Sequence, residues 1–181
     1  MVKVENIFKN LGLVDGTNAM TPNQVEQIGE ILPKKRSISV LEFGAGVTTV
    51  KLYEALKGMY DVVKYVTYED NPKWAPNHEG IDVKIYDRKD LIDGNLSIPS
   101  SDEYDLVIVD GPDGELRKYW YQIFKANVKD KAIIHIDDAF HYPSFESELN
   151  SAFKNYDIIF ESGRKTWGSG NNKCWLTIKL K

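Results

Sequence analysis

Cys174 is the only cysteine among 181 residues, so neither an intrachain disulfide nor a cysteine-cluster metal site can form. No apolar run is long enough to cross a bilayer. Lys3, Glu5, Asn6, Lys9 and Asn10 interrupt the first residues, where a signal peptide would be continuously apolar. These absences lead to the expectation of a cytoplasmic protein with no membrane partner. Positive charge is also scarce: 23 Lys and Arg stand against 27 Asp and Glu, and a formal charge of -4 offers nucleic acid no global basic field. There is no internal repeat and no low-complexity segment. The remaining composition, 42% hydrophobic and 12% aromatic, is that of an ordinary globular chain, and its length suits one domain over residues 1–181.

The run VLEFGAGVTTV at 40–50 concentrates the most information. Val40, Leu41 and Phe43 read as a buried strand, Glu42 adds a carboxylate, and Gly44 and Gly46 remove side chains where the backbone must turn or approach a ligand. Val47, Val50, Tyr53 and Leu56 recur at helical spacing up to a C-cap at Gly58. A dinucleotide fingerprint needs a third glycine where Thr49 stands, which argues against a nicotinamide cofactor. A strand-to-helix turn with no ligand is the alternative reading of these residues alone.

Upstream, Thr21-Pro22-Asn23-Gln24 supplies a capping box and a first-turn proline ahead of Val25, Ile28, Ile31 and Leu32. Residues 1–35 are therefore expected to form a helical cap on a core at 36–181. Downstream, strands are expected at Val62 to Asp70, Ile81 to Ile85 (a sheet edge), Tyr104 to Asp110 and Lys131 to Asp138. A short helix is expected after Asn71-Pro72, limited by Pro76, and further helices on Leu116 to Phe124 and Phe145 to Phe153. Strands alternating with helices imply a parallel sheet in a three-layer α/β fold. Tyr156 to Glu161 and Cys174 to Leu180 lack a helix between them and should pair antiparallel, which brings the count to seven strands.

That connectivity, with an acidic residue just before G-x-G and no third glycine, resembles the class I S-adenosylmethionine-dependent methyltransferases over residues 36–181. The resemblance implies a Rossmann-like sheet, mostly parallel with a C-terminal antiparallel hairpin, and ligands at the carboxyl ends of its strands. It implies S-adenosylmethionine as cofactor. Gly44, Ala45 and Gly46 would lie against its methionine part, and Glu42 would orient that loop or meet the ammonium. Glu69, with Asp70 beside it, would accept the ribose hydroxyls, and Asp87 would meet the adenine amino group, with Asp90 as competitor. YDLVIVDGPDGE at 104–115 resembles the motif whose aspartate, here Asp110, faces both cofactor and acceptor. The other reading of Asp110-Gly111-Pro112-Asp113-Gly114 is a turn feeding a helix.

IIHIDDAFHYP at 133–143 supplies a second cluster. Asp110, Asp137 and Asp138 at neighbouring strand ends are similar to the set that binds Mg²⁺ or Ca²⁺ in metal-dependent O-methyltransferases. Without a metal, Asp138 would cap the next helix and Asp137 would bind substrate. His141, past the strand end, is the general-base candidate alongside Asp110 and Asp137. His135 reads as a packed core histidine, and Trp74 as core more than adenine wall. Arg164, Lys165 and Trp167 lie in a loop expected to emerge on the site's side, where they would meet a charged or ring-bearing acceptor or simply be solvated. DGPD replaces an Asn-Pro-Pro-Tyr type motif, so an O-methyl acceptor is favoured, a small molecule or a saccharide. A nicotinamide-dependent oxidoreductase and a non-catalytic cofactor- or partner-binding module are the competing classes.

Overall fold

Thr21 starts the first helix, α1 (Pro22–Ile31), with the expected capping box: Gln24 N–H donates to Thr21 Oγ1 at 3.3 Å and Thr21 N–H to Gln24 Oε1 at 2.7 Å. The computed structural model describes residues 20–112, 114–142, 144–163 and 174–181. The segment before Met20 and the loop carrying Arg164, Lys165 and Trp167 lie outside them, as does Asp113. After α1 come β1 (Ser37–Phe43), α2 (Val47–Lys57), β2 (Val62–Glu69), β3 (Asp82–Ile85), α3 (Arg88–Ile92) and β4 (Tyr104–Val109). A 3-10 turn (Gly114–Arg117) leads into α4 (Lys118–Phe124), then β5 (Val128–Asp137), a second 3-10 turn (Ala139–His141), α5 (Phe145–Ala152), β6 (Tyr156–Ser162) and β7 (Trp175–Leu180).

The seven strands form one sheet in the order β3-β2-β1-β4-β5-β7-β6. β1 to β5 are parallel, and β7 runs antiparallel to both β5 and β6. The chain leaves β1 toward β2 on one side and later returns to β4 on the other, so a crevice opens between β1 and β4. Phe43 is level with Tyr68 and Val109, and Val109 with Ile136. The next residues, Gly44, Glu69, Asp110 and Asp137, therefore stand in one row.

Two apolar clusters cover the two faces. One gathers Phe43, Trp120, Phe124 and Leu149 beneath α4 and α5; the other gathers Val25, Ile28, Val40 and Leu52 beneath α1 and α2. Phe43 stacks on Trp120 with ring centroids 3.9 Å apart. At the opposite end of the strands Asp105 joins β4 to β1, accepting from Ser39 N–H at 2.9 Å, Lys35 at 2.5 Å and Lys129 at 3.1 Å. Burial alone would raise this carboxyl, but the two lysines and Ser39 hold it below its usual range.

Three local expectations are corrected. Asn71-Pro72 opens a single turn, with Trp74 N–H on Asn71 O at 2.9 Å, and no helix follows, since Pro76 lacks the N–H that would continue one. Trp74 is 52% exposed instead of packed in the core. The fifth strand begins at Val128, three residues earlier than the apolar pattern suggests, because Lys131 takes φ 63° where the pairing with β4 shifts register.

Candidate active site

Gly44 has φ 93°, and a Cβ there would lie 2.5 Å from Gly111 N and 2.7 Å from Gly111 Cα. The contact is reciprocal, since a Cβ on Gly111 would meet Gly44 Cα at 2.6 Å. Backbone thus packs on backbone at the mouth of the crevice, tied by Asp110 and Gly111 N–H groups donating to Phe43 O at 2.8 and 2.6 Å. Gly46 is different: a Cβ there meets nothing within 4 Å among the described residues. Its N–H donates to Thr49 Oγ1 at 2.8 Å, so the residue that breaks the dinucleotide fingerprint caps the loop that enters α2.

Glu69 braces the same loop. Its Oε2 accepts Ala45 N–H at 2.6 Å and its Oε1 accepts Asn71 N–H at 2.7 Å, and it is 4% exposed. Burial raises its pKa, and those two N–H groups pull it back. Each oxygen keeps a lone pair for a ligand hydroxyl. Glu42 lies deeper and is pushed up to about 8 by burial, which the nearby hydroxyls of Thr49, Thr67 and Tyr65 only partly offset. A carboxyl neutral at pH 7 is a poor partner for an ammonium, and the loop is held by Glu69 and Thr49. Asp70 pairs with Arg88, and Asp87 caps α3 by accepting Lys89 N–H at 2.8 Å. Ile85, the register partner of Glu69, is 50% exposed, and Val47, directly after Gly46, is 57% exposed. Apolar surface is therefore exposed at the start of α2, beside Gly46, and on β3, beyond Glu69.

The β4–β5 end is organised by Arg117, which sequence reasoning passed over. Only 6% exposed, it donates through Nη1 to Asp137 O at 2.6 Å and through Nε to Pro112 O at 3.0 Å. Its guanidinium stands 3.7 Å from Asp110 Oδ1 and 3.6 Å from Asp138 Oδ2. Burial opposes its charge, but Asp110, Asp138 and Asp137 more than compensate and raise its pKa.

Asp137 faces elsewhere. Its Oδ1 accepts from Gln24 Nε2 at 2.6 Å, so Gln24 both closes the capping box of α1 and reaches the strand end. His135 lies between Gln24 Nε2 at 3.3 Å and Thr177 Oγ1 at 2.9 Å, and burial pushes it down to about 4, the packed histidine expected. His141 Nδ1 stands 3.5 Å from Asp138 Oδ1, while Asp138 takes the left-handed conformation, φ 52°. Burial pushes the nearby Cys174 thiol up.

The arrangement does not suit Mg²⁺ or Ca²⁺ on Asp110, Asp137 and Asp138: an arginine already lies between Asp110 and Asp138, and Asp137 is engaged by Gln24. The glycine loop does suit the methionine part of S-adenosylmethionine, because it leaves space over Gly46 beside the Glu69 carboxylate. A small pocket at the β5 end is lined by Arg117, Tyr121, Asp138, Tyr142 and Ser144.

No protein-family model and no curated protein sequence matches the chain. Solved structures do. A 16S rRNA methyltransferase from T. thermophilus in complex with AdoMet and guanosine superposes at TM-score 0.61 and 16% identity, covering 95% of this chain and 45% of that one. A TehB-like SAM-dependent methyltransferase from Corynebacterium glutamicum gives TM-score 0.58 and 11% identity over 87% of each chain. Spermidine synthase from Thermotoga maritima gives 0.51 and 13%, covering 82% of this chain and 55% of that one. This chain spans less than half of the rRNA enzyme's length. At these identities the likeness establishes the fold, the seven-stranded Rossmann-like sheet of class I S-adenosylmethionine-dependent methyltransferases. No described helix is long and apolar enough to cross a membrane.

Proposed function

We propose that this chain is an S-adenosylmethionine-dependent methyltransferase acting on an oxygen of a small molecule or saccharide. The observation that carries the reading is the open space over Gly46, in a loop clamped to Glu69 at the β1 end of a methyltransferase sheet. The methionine part lies along Gly44 to Gly46, the ribose hydroxyls share Glu69, and the exposed Val47 and Ile85 cover the adenosyl group. Asp87, with one oxygen on Lys89 N–H, offers the other to the adenine amino group. Asp70 supports this side through Arg88.

The cofactor supplies an electrophilic methyl group on sulfur. The chain's own task is to align the acceptor oxygen, exclude water and take the proton as the new C–O bond forms. Asp110 is assigned that proton: it stands in the strand-end row between the glycine loop and the acceptor pocket, with its other neighbour the Arg117 guanidinium. Asp137 has a positioning role, held by Gln24 and joined to Arg117 through its carbonyl. His141 borders the acceptor side through Asp138. The net charge of -4 supports a small acceptor over RNA, although the fold is shared with an rRNA enzyme.

Transfer of labelled methyl from S-adenosylmethionine to pooled sugars, phenols, acids and RNA tests this. Label is expected in an oxygen-bearing small molecule, lost in Asp110→Asn while S-adenosylhomocysteine still binds. Label in RNA alone overturns the acceptor class, and binding of NAD with no response to either sulfur compound overturns the enzyme class.

A further inference from the structure

Three side chains from two segments of the β5–β7 edge converge: Asp138 just after β5 and His141 in the 3-10 turn it starts, and Cys174 just before β7. A carboxylate oxygen, a ring nitrogen and the sulfur all lie within 4.8 Å of one another. We propose that Asp138, His141 and Cys174 form a binding site for a thiophilic divalent cation, Zn²⁺ before any other. This is a different set from Asp110, Asp137 and Asp138, with different chemistry: one sulfur, one nitrogen and one oxygen select a borderline-soft ion and reject Mg²⁺ or Ca²⁺.

Distances support the assignment. His141 Nδ1 and Asp138 Oδ1 stand 3.5 Å apart. A charge-assisted hydrogen bond would bring them to about 2.7–2.9 Å. Two ligands on a tetrahedral zinc, with bonds of about 2.0–2.1 Å, sit roughly 3.3–3.4 Å apart. The pair is thus spaced as an edge of such a site, and closing the sulfur onto it takes a side-chain adjustment on the order of 1 Å.

The surroundings orient each ligand. Arg117 Nη1 faces Asp138 Oδ2 at 3.6 Å, which leaves Oδ1 on the His141 side for monodentate ligation. Cys174 Sγ accepts the Phe140 N–H at 3.4 Å and is reached by the His141 N–H as well. Backbone donors on sulfur and a cation on the unused carboxylate oxygen are the outer-shell contacts that hold metal ligands in place. Charge favours a cation despite the guanidinium, since Asp110, Asp137 and Asp138 all act on the single Arg117. The left-handed backbone at Asp138 starts the short turn that returns His141 to it, with His141 N–H on Asp138 O at 3.1 Å.

Asp138 also lines the small pocket at the β5 end, and three protein ligands leave one position of a tetrahedral zinc for a further ligand. In this assignment His141 is a ligand, and proton removal stays with Asp110. The site stands whether or not the chain transfers methyl groups, so its test uses the full-length protein without S-adenosylmethionine. Zn²⁺ is titrated against a chromophoric chelator, and Co²⁺ is added as a spectroscopic probe. One equivalent of Zn²⁺ is expected, with a sulfur-to-cobalt charge-transfer band that Cys174→Ser abolishes. His141→Ala, at a part-exposed side chain, should bind Zn²⁺ at least tenfold more weakly with an unchanged circular dichroism spectrum. Absence of stoichiometric Zn²⁺ binding to wild type, or binding that survives both substitutions, overturns the proposal.

Discussion

The two halves of the strand-end edge are built on opposite principles. At β1 and β2 the backbone is the working surface: Gly44 and Gly111 touch, Gly46 is open, and Glu69 and Thr49 accept loop N–H groups. At β4 and β5 side-chain charge does the organising, with a buried guanidinium set among Asp110, Asp138 and the Asp137 carbonyl. The first half therefore depends on what is missing from its side chains, and the second on one buried guanidinium balanced against the aspartates around it.

Removing Arg117 is the most severe way to break this contrast. Arg117→Met leaves Asp110 and Asp138 without their cation, and unfolding should show a loss of about 3–5 kcal/mol. A smaller cost would mean that solvent already compensates these aspartates. On the glycine side, Gly44→Ala combines φ strain with a Cβ 2.5 Å from Gly111 N and should cost about 3 kcal/mol. Gly46→Ala should stay within about 1 kcal/mol of wild type in stability, since its Cβ meets nothing. Equal melting shifts for the two alanines would erase the distinction between the packed and the open glycine.

Glu69→Ala removes the proposed acceptor of the ribose hydroxyls together with the clamp on Ala45 N–H, and should weaken S-adenosylhomocysteine binding by about 1–3 kcal/mol. Unaltered affinity would place the ribose elsewhere.

Glu42 gives the one effect read against pH. Its folded pKa of about 8 lies above the ordinary carboxyl value of 4.5, so between those pH values the unfolded chain releases a proton that the folded chain retains. Its contribution is complete below pH 4.5 and declines as pH rises toward 8. The limiting slope is about 1.4 kcal/mol per pH unit. Glu42→Gln should flatten stability against pH in that window, and an unchanged slope would show that Glu42 is ionised in the folded state.

The contrast also explains what could be read from the chain. Glycines, the Thr21 capping box and the near-continuous apolar run at Tyr104 to Val109 act over a few residues, so the glycine loop, α1 and β4 were legible with their neighbours. The contact of Gly44 with Gly111 spans two strands, whereas the sequence marked Gly44 for a turn or a ligand and Gly111 only as part of a turn. Arg117 resembled any helix-start arginine, because its burial follows from the 3-10 turn that carries it beneath the β5 end. Gln24 served the capping box in the sequence reading; its second bond, to Asp137, crosses the sheet edge from α1. A guanidinium in place of a metal follows the same pattern. The carboxylates were visible as a set, but which cation they face depends on a side chain at the end of the following turn.

The central claim is that the open glycine is where the cofactor lies, and calorimetry with S-adenosylhomocysteine on wild type and Gly46→Val tests it most directly. Saturable binding to wild type, with a loss of at least tenfold in a Gly46→Val protein of unchanged circular dichroism, is the predicted result. Wild-type protein that binds no S-adenosylhomocysteine, or a valine variant that binds it equally well, would contradict the account.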